Sequence, residues 1–252
     1  MKLFVSIFDD AQLLPHFLRH YLQFGITEFH VAAPPQLADD IRRISTGNTV
    51  FQYSGFDVAE TVCGGVSAVA GMREVAQEAD EWSVIVDLDE FVEFGEPVRT
   101  IVEDMEGEGA NIARGVMYDR FAVDGRPKPF DEGSHLPSLY PVRARFIKNI
   151  MGGIDIKGVL VKGHLKGRGA HHVFHDEVRY SKVFEISHYK WNDPSLRRIR
   201  QAYEMSRAAG LDWSQQYKKI LDHYARYGRF AWETFGGELV GPVSSLTHSA
   251  NG

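Results

Sequence analysis

Asp87, Asp89 and Glu90 close an apolar run, Val84-Ile85-Val86-Asp87-Leu88-Asp89-Glu90-Phe91, and are the residues of this chain best spaced for chemistry. In an extended backbone, side chains two apart point the same way. Asp87 and Asp89 are therefore predicted to aim at one spot while Leu88 turns into the core. Carboxylates held that close repel one another unless a proton or a cation compensates them. Hard oxygen donors favour Mg2+ or Mn2+, ions that also take phosphate oxygens. The same tripeptide also reads as a solvated acidic turn after a strand.

Eleven histidines offer a second source of chemistry. Gly169-Ala170-His171-His172-Val173-Phe174-His175 has the density of a metal-binding tract. It lacks the spaced Cys/His pattern of a structural zinc site, and no cysteine stands near it. Hydrogen-bonded structural histidines are the alternative. The chain contains neither a G-x-x-x-x-G-K-[ST] nor a G-x-G-x-x-G phosphate loop. Its one cysteine, Cys63, rules out an internal disulfide framework and reads as a small packing residue.

These residues must be positioned by the elements around them. Residues 2–7, Phe29 to Ala33, Thr49 to Tyr53 and Trp82 to Asp87 are apolar and β-prone, and are predicted strands. Between them, Leu13, Leu14, Phe17, Leu18, Tyr21 and Leu22 recur at helical spacing before Gly25, Asp39 to Ile44 fits a short helix, and Val66, Val69, Met72, Ala76 and Ala79 mark another helical face. Alternating strand and helix predicts a parallel sheet with helices on both faces, and ligands bind such sheets beyond the carboxyl ends of the strands. That places Asp87 and Asp89 where a ligand would sit.

After Phe94, Gly and Pro separate short extended pieces: Asn111 to Tyr118, Arg143 to Ile147, Gly158 to Lys162 and Val183 to Tyr189. They are predicted to add antiparallel strands and long loops to the same sheet. Asp193-Pro194 is a helix start, with Leu196, Ile199 and Tyr203 on one face of a helix that Gly210 ends. A last helix carries Trp213, Tyr217, Ile220, Leu221 and Tyr224 beside Lys218 and Lys219, and the first carries Arg197, Arg198, Arg200 and Arg207. Both are expected to pack on protein, over the acceptor side of the domain or against a second copy in a homodimer; an aromatic and basic helix resting on an anionic membrane is the rival expectation.

With 252 residues, 34 acids against 28 bases and a net charge of −6, the chain shows no long basic stripe, and nucleic acid is not an expected partner. The opening Met-Lys-Leu-Phe-Val-Ser-Ile-Phe-Asp-Asp is too short an apolar run for a signal peptide or a membrane span. A cytoplasmic protein is expected, with peripheral membrane contact left open.

Taken in order, several blocks make the chain resemble the GT-A glycosyltransferases, in particular a family 2-like bacterial group with an Asp-x-Asp-Glu-Phe motif, here Asp87 to Phe91. Phe8-Asp9-Asp10 and the Leu-rich segment ending at His20-Tyr21 resemble the opening block, Met72-Arg73-Glu74 the Ala-Arg-Asn element, and Asp119-Arg120 with Asp124-Gly125 an Asp-Arg…Asp-Gly block. Lys157 with Gly169-Ala170-His171-His172 and His188-Tyr189-Lys190-Trp191 resemble the closing elements. The opening block departs from the usual Lys-Asn-Glu, and Ala32-Ala33-Pro34-Pro35 replaces the Asp-rich stretch common after the second strand, which leaves the nucleobase open between UDP, GDP and others.

The resemblance implies an α/β fold, a GT-A (Rossmann-like) mixed sheet flanked by helices over 1–191, with 192–252 a helical extension packed on the same domain. It implies sugar transfer, with inversion, from a UDP- or GDP-linked donor to a hydroxyl of a glycan acceptor. Mn2+ or Mg2+ would be held by Asp87 and Asp89, with His188 as third ligand and His171 in reserve. Phe8, Asp9, Arg73, Asp87, Lys157 and Lys190 would bind the donor, with Arg73, Lys157 and Lys190 supplying the positive charge that a diphosphate leaving group needs beyond one divalent ion. A carboxylate must take the acceptor's proton, Asp119 first and Asp124 second. The rival readings are a nucleotidyltransferase or metal-dependent phosphohydrolase, which also uses paired aspartates, and a non-catalytic glycan-binding module.

Overall fold

The computed structural model of the protein describes residues 1–8, 11–44, 50–55, 69, 71–74, 76–163 and 176–240. In chain order the elements are β1 (Lys2–Ser6), α1 (Leu14–Leu22), β2 (Glu28–Ala33), α2 (Ala38–Ile44), β3 (Val50–Gly55), β4 (Trp82–Asp87), β5 (Glu90–Glu93), α3 (Val98–Gly107), β6 (Ile112–Phe121), α4 (Leu136–Leu139), β7 (Val142–Ala144), β8 (Ile156–Lys162), β9 (Arg179–His188), α5 (Ser195–Ala208), α6 (Ser214–Tyr227) and β10 (Glu238–Leu239). Residues 69, 71–74 and 76 are helical as well. No helix among the described residues is long and apolar enough to cross a membrane.

The expected mixed α/β sheet flanked by helices is present. Strands β3, β2, β1 and β4 run parallel, in that order. Strand β8 then pairs antiparallel with both β4 and β6, which returns β6 to the direction of β4. The far edge of β6 carries β9 in parallel, and β9 carries β5 antiparallel. The carboxyl ends of β1, β4, β6 and β9 therefore lie along one edge of the sheet. Ser6 stands opposite Asp87, and Asp119, His188 and Glu90 form one row across three strands.

The main core explains why the strand end is held where it is. Leu14, Phe17, Leu18 and Tyr21 bury one face of α1 in the same core cluster as Val5, Val86, Phe91 and the apolar side of α3. The Tyr21 hydroxyl donates to the carbonyl of Glu90 (2.8 Å) and accepts from the Val92 amide (3.1 Å), which ties β5 to α1 at the motif. A smaller cluster of Ile85, Ile112 and Val161, with Val69 against it, covers the opposite face. A third cluster packs Ile199 of α5 and Ile220 of α6, with Leu196, Tyr217, Leu221 and Tyr224, around Phe121, Phe146, Trp191 and Phe230.

Three expectations change. Strands β6 and β9 are longer than predicted, because each is paired along the other for most of its length. Arg143 to Ile147 is strand only to Ala144; the chain then makes a π-helical turn, Ile147–Met151, closed by Gly152 in the left-handed region at φ 65°. Leu88 and Asp89 form a tight turn between β4 and β5, not an extension of β4, so Asp87 and Asp89 are not the same-face pair of one strand.

Candidate active site at the carboxyl edge of the sheet

The acids of the motif are divided between two partners. Lys157, reaching in from β8, places Nζ 2.5 Å from Glu90 Oε2 and 3.6 Å from Asp87 Oδ2, with both Lys157 and Glu90 buried. Glu90 Oε2 also accepts the Asp87 amide at 2.8 Å, and Ser6 Oγ donates to Asp87 Oδ1 at 3.4 Å. Burial raises Glu90 despite the attraction of Lys157. Burial opposes the charge of Lys157 as well, but Asp87 and Glu90 outweigh it and raise its pKa. Asp87 keeps about half of its side chain exposed, at 48%.

Asp89 belongs to the second group. Its Oδ2 lies 3.3 Å from His188 Nε2, and its backbone carbonyl accepts the Tyr189 amide at 2.8 Å. Burial works against ionisation, yet His188, Lys190 and Arg198 hold Asp89 well below the usual carboxylate range. His188 is buried too, which disfavours its charge, but Asp89 and Asp119 push it up to about 10. Lys190 is half-buried; desolvation lowers it, and Asp89, the Tyr217 phenol and Asp119 together raise it. Arg198, in the first turn of α5, donates to Asn192 Oδ1 at 2.7 Å. A fence of cations from β9, the loop after it and α5 thus surrounds one aspartate.

Asp119 takes a place its sequence context did not suggest. It is 1% exposed. Its Oδ1 accepts from His188 Nδ1 (2.9 Å) and Trp191 Nε1 (2.7 Å), and its Oδ2 accepts the Ile147 amide (2.8 Å). Both oxygens are occupied and shielded, so the expectation of Asp119 as the base at an acceptor hydroxyl is corrected. Asp124, on the turn after β6, keeps 47% of its side chain exposed and pairs with Lys128 Nζ at 2.5 Å and the Arg126 amide at 3.0 Å.

Arg73 is also corrected. Its Nη2 donates to the carbonyl of Gly163 at 2.9 Å and its Nε to Gln77 at 2.9 Å, and burial lowers it to about 10. The Gly163 amide in turn bonds Glu81, just before β4. Arg73 therefore sits at the amino end of β4, a strand length of roughly 16 Å from Asp87 at ~3.3 Å per residue. Phe8 stands after the carboxyl end of β1 with 42% of its surface exposed, on the same edge as Asp87. Asp9, His171 and Cys63 lie outside the described residues.

Among the described residues no group of three or more His, Cys, Asp and Glu is arranged to hold a metal ion by itself. What is present is an Asp89–His188 ion pair, which could serve as two adjacent ligands only with His188 neutral. Asp89 Oδ2 and His188 Nε2 are 3.3 Å apart, close to the ~3.0 Å separation of adjacent ligands around an ion that binds each at ~2.1 Å. Carboxylate with imidazole suits Mn2+. Mg2+-like ions characteristically take one or two protein carboxylates and complete their shell with water and substrate phosphate. The donor set therefore fits an ion that arrives with, or is completed by, a phosphate ligand.

Sequence reasoning missed three contributors. Glu90 was read as part of a motif without a partner, Asp119 as a base, and Arg198 as one of several surface arginines. The only signal for Asp119 was its place in the block that also contains Asp124; the His188 and Trp191 it binds are about 70 residues away.

No protein-family model matches the chain, and no curated protein matches its sequence. Among solved structures it is similar to HddC from Yersinia pseudotuberculosis, at 7% identity and a TM-score of 0.35 over 48% of this chain and 59% of that one. The same protein complexed with GMP-PN aligns at 7% identity and a TM-score of 0.35, over 50% and 66% of the two chains. TarS 1-349 from S. aureus aligns at 10% identity and a TM-score of 0.40, over 90% of this chain and 72% of that one. The chain thus spans less than two thirds of the HddC chains it matches. Likenesses this remote assign no activity to it.

Proposed function

We propose that the chain is a metal-dependent glycosyltransferase of the GT-A type, moving a sugar from a UDP- or GDP-linked donor to a hydroxyl of a glycan acceptor. The observation that carries this reading is the Asp89–His188 pair at the carboxyl edge of the sheet, ringed by Lys157, Lys190 and Arg198. A carboxylate and an imidazole side by side, with Lys190 and Arg198 at hand, suit a ligand that brings its own anionic oxygens, and a nucleoside diphosphate does. Mn2+ or Mg2+ bound there would act as a Lewis acid on the leaving diphosphate.

In this reading Asp89 and His188 hold the ion, and Asp87, half exposed, faces the donor beside it. Lys157 pairs with Glu90 and Asp87 beneath the motif. Lys190 and Arg198 take phosphate oxygens as charge accumulates on the leaving group. Phe8 offers an exposed ring at the end of β1 for the donor's base or ribose. Asp124, the exposed member of the two candidate carboxylates, takes the acceptor's proton, and transfer proceeds with inversion. The proposed extension 192–252 belongs to one domain with 1–191, a reading supported by α5 and α6, which pack around Phe121, Phe146 and Trp191.

The test is a thermal-shift panel of nucleotide sugars with and without Mn2+. A ligand selective for the folded state raises apparent stability by mass action. Stabilisation by one nucleotide class, dependent on Mn2+, followed by transfer of its sugar to a glycan, supports the reading. Stabilisation by nucleotides that ends only in phosphate release would point to a phosphohydrolase, and no stabilisation by any nucleotide would overturn donor binding.

A further inference from the structure

We infer that Asp119 is a positioning residue: it holds the ring of His188 so that Nε2, and not Nδ1, is presented beside Asp89. The inference rests on the reading of Asp89 and His188 as the protein ligands of a cation.

A histidine has two nitrogens, and which one is free to ligate is set by the hydrogen bond the other makes. Here Nδ1 is committed to Asp119 Oδ1 at 2.9 Å, while Nε2 faces Asp89 Oδ2 at 3.3 Å. The register of the sheet makes this arrangement rigid, because Asp119 of β6 and His188 of β9 stand opposite each other in a parallel pair. Ligating histidines characteristically have such a carboxylate behind them, which orients the ring and raises its basicity.

Asp119 is itself fixed. The Trp191 indole donates to the oxygen that His188 uses, and the Ile147 amide donates to the other. Trp191 is stacked on Phe121 at 5.7 Å between ring centres and meets Phe146 edge-on at 4.9 Å. Ile147 opens the π-helical turn that α6 packs against. The carboxylate therefore cannot turn toward solvent without breaking into the cluster under α5 and α6. The C-terminal helices thereby hold the orientation of His188 through Asp119, although neither Asp119 nor Trp191 touches the ligand.

The test uses the full chain, with Mn2+ as the probe for affinity and nitrogen-15 spectra of the imidazoles for orientation. In the metal-free parent, His188 should show a slowly exchanging, strongly deshielded Nδ1 proton, lost in Asp119→Ala. Mn2+ affinity, read by electron paramagnetic resonance, should fall about 10–100-fold in Asp119→Ala. Phe121→Leu, which loosens the same cluster without touching the hydrogen bond, should lower the melting temperature and leave both signals in place. A rapidly exchanging Nδ1 proton in the parent overturns the inference even if Mn2+ binds. Unchanged Mn2+ affinity in a folded Asp119→Ala does so as well. A parent with the deshielded proton but no Mn2+ binding overturns the metal reading itself, and with it the purpose assigned to the bond.

Discussion

Lys157 meets Glu90 at 2.5 Å where neither side chain is open to water, and the same ammonium group is 3.6 Å from Asp87. A buried cation is thus built into the underside of the acidic motif. Removing one member of a buried pair leaves an uncompensated charge and costs about 3–5 kcal/mol. Lys157→Ala is therefore expected to lower unfolding free energy by that order in urea titrations, whereas Lys157→Met combined with Glu90→Leu recovers most of it. A Lys157→Ala protein as stable as the parent would mean that Glu90 is neutral in the fold.

Asp89→Asn is expected to fold normally and to lose Mn2+-dependent nucleotide binding by at least tenfold, about 1.4 kcal/mol, in calorimetric titrations. His188→Ala should weaken Mn2+ more than Mg2+, because imidazole suits the softer ion. Equal small losses for both ions, with a lowered melting temperature, would make His188 structural only.

Asp124 pairs with Lys128 at the rim, a pairing that holds its pKa down even though burial pushes the other way. If it takes the acceptor proton, Asp124→Asn should depress kcat by about 100-fold or more while donor affinity stays within twofold. A loss confined to acceptor KM would instead make it an acceptor-binding group.

His20, packed on Phe91 of β5, provides a separate pH signature. Its Nε2 lies 2.9 Å from the Val92 carbonyl, and burial lowers its pKa to about 4. The folded pKa lies below the unfolded value near 6.5, so the unfolded chain binds the extra proton first as pH falls. The stability that neutral His20 contributes is therefore complete above about pH 6.5 and is lost between pH 6.5 and 4, with a slope approaching 1.4 kcal/mol per pH unit. His20→Gln keeps a donor for Val92 and should flatten that part of the denaturation profile; an unchanged slope would assign it to other groups.

Gly125 sits at φ 67°, and a β-carbon there would run into the carbonyl of Phe230, whose amide bonds the Gly125 carbonyl at 2.8 Å. Gly125→Ala should cost at least about 1–3 kcal/mol of backbone strain and undock the chain after α6. The expected readout is faster proteolysis around 228–240. Unchanged protection would show that this contact does not hold the C-terminal segment.

The alternation of apolar runs determined the strand–helix order of the first ninety residues, since a buried strand and an amphipathic helix each write their period into the local sequence. The same locality made the acidic motif visible, and it marked α5 and α6 through their apolar stripes, although α5 begins at Ser195 with Pro194, not Asp193, as its N-cap. Tertiary structure decided the rest. Whether Asp119 is a base or a brace depends on a register that brings His188 and Trp191 to it from the far end of the chain. Whether Arg73 serves the ligand depends on which end of the sheet it occupies, and its bond to Gly163 puts it at the amino end of β4. Asp87, Asp89 and Glu90 look like one cluster in the sequence, but the turn after β4 hands them to different partners, Lys157 and His188. Charge pairing and burial are set by contacts between distant segments, and no local pattern of residues carries that information.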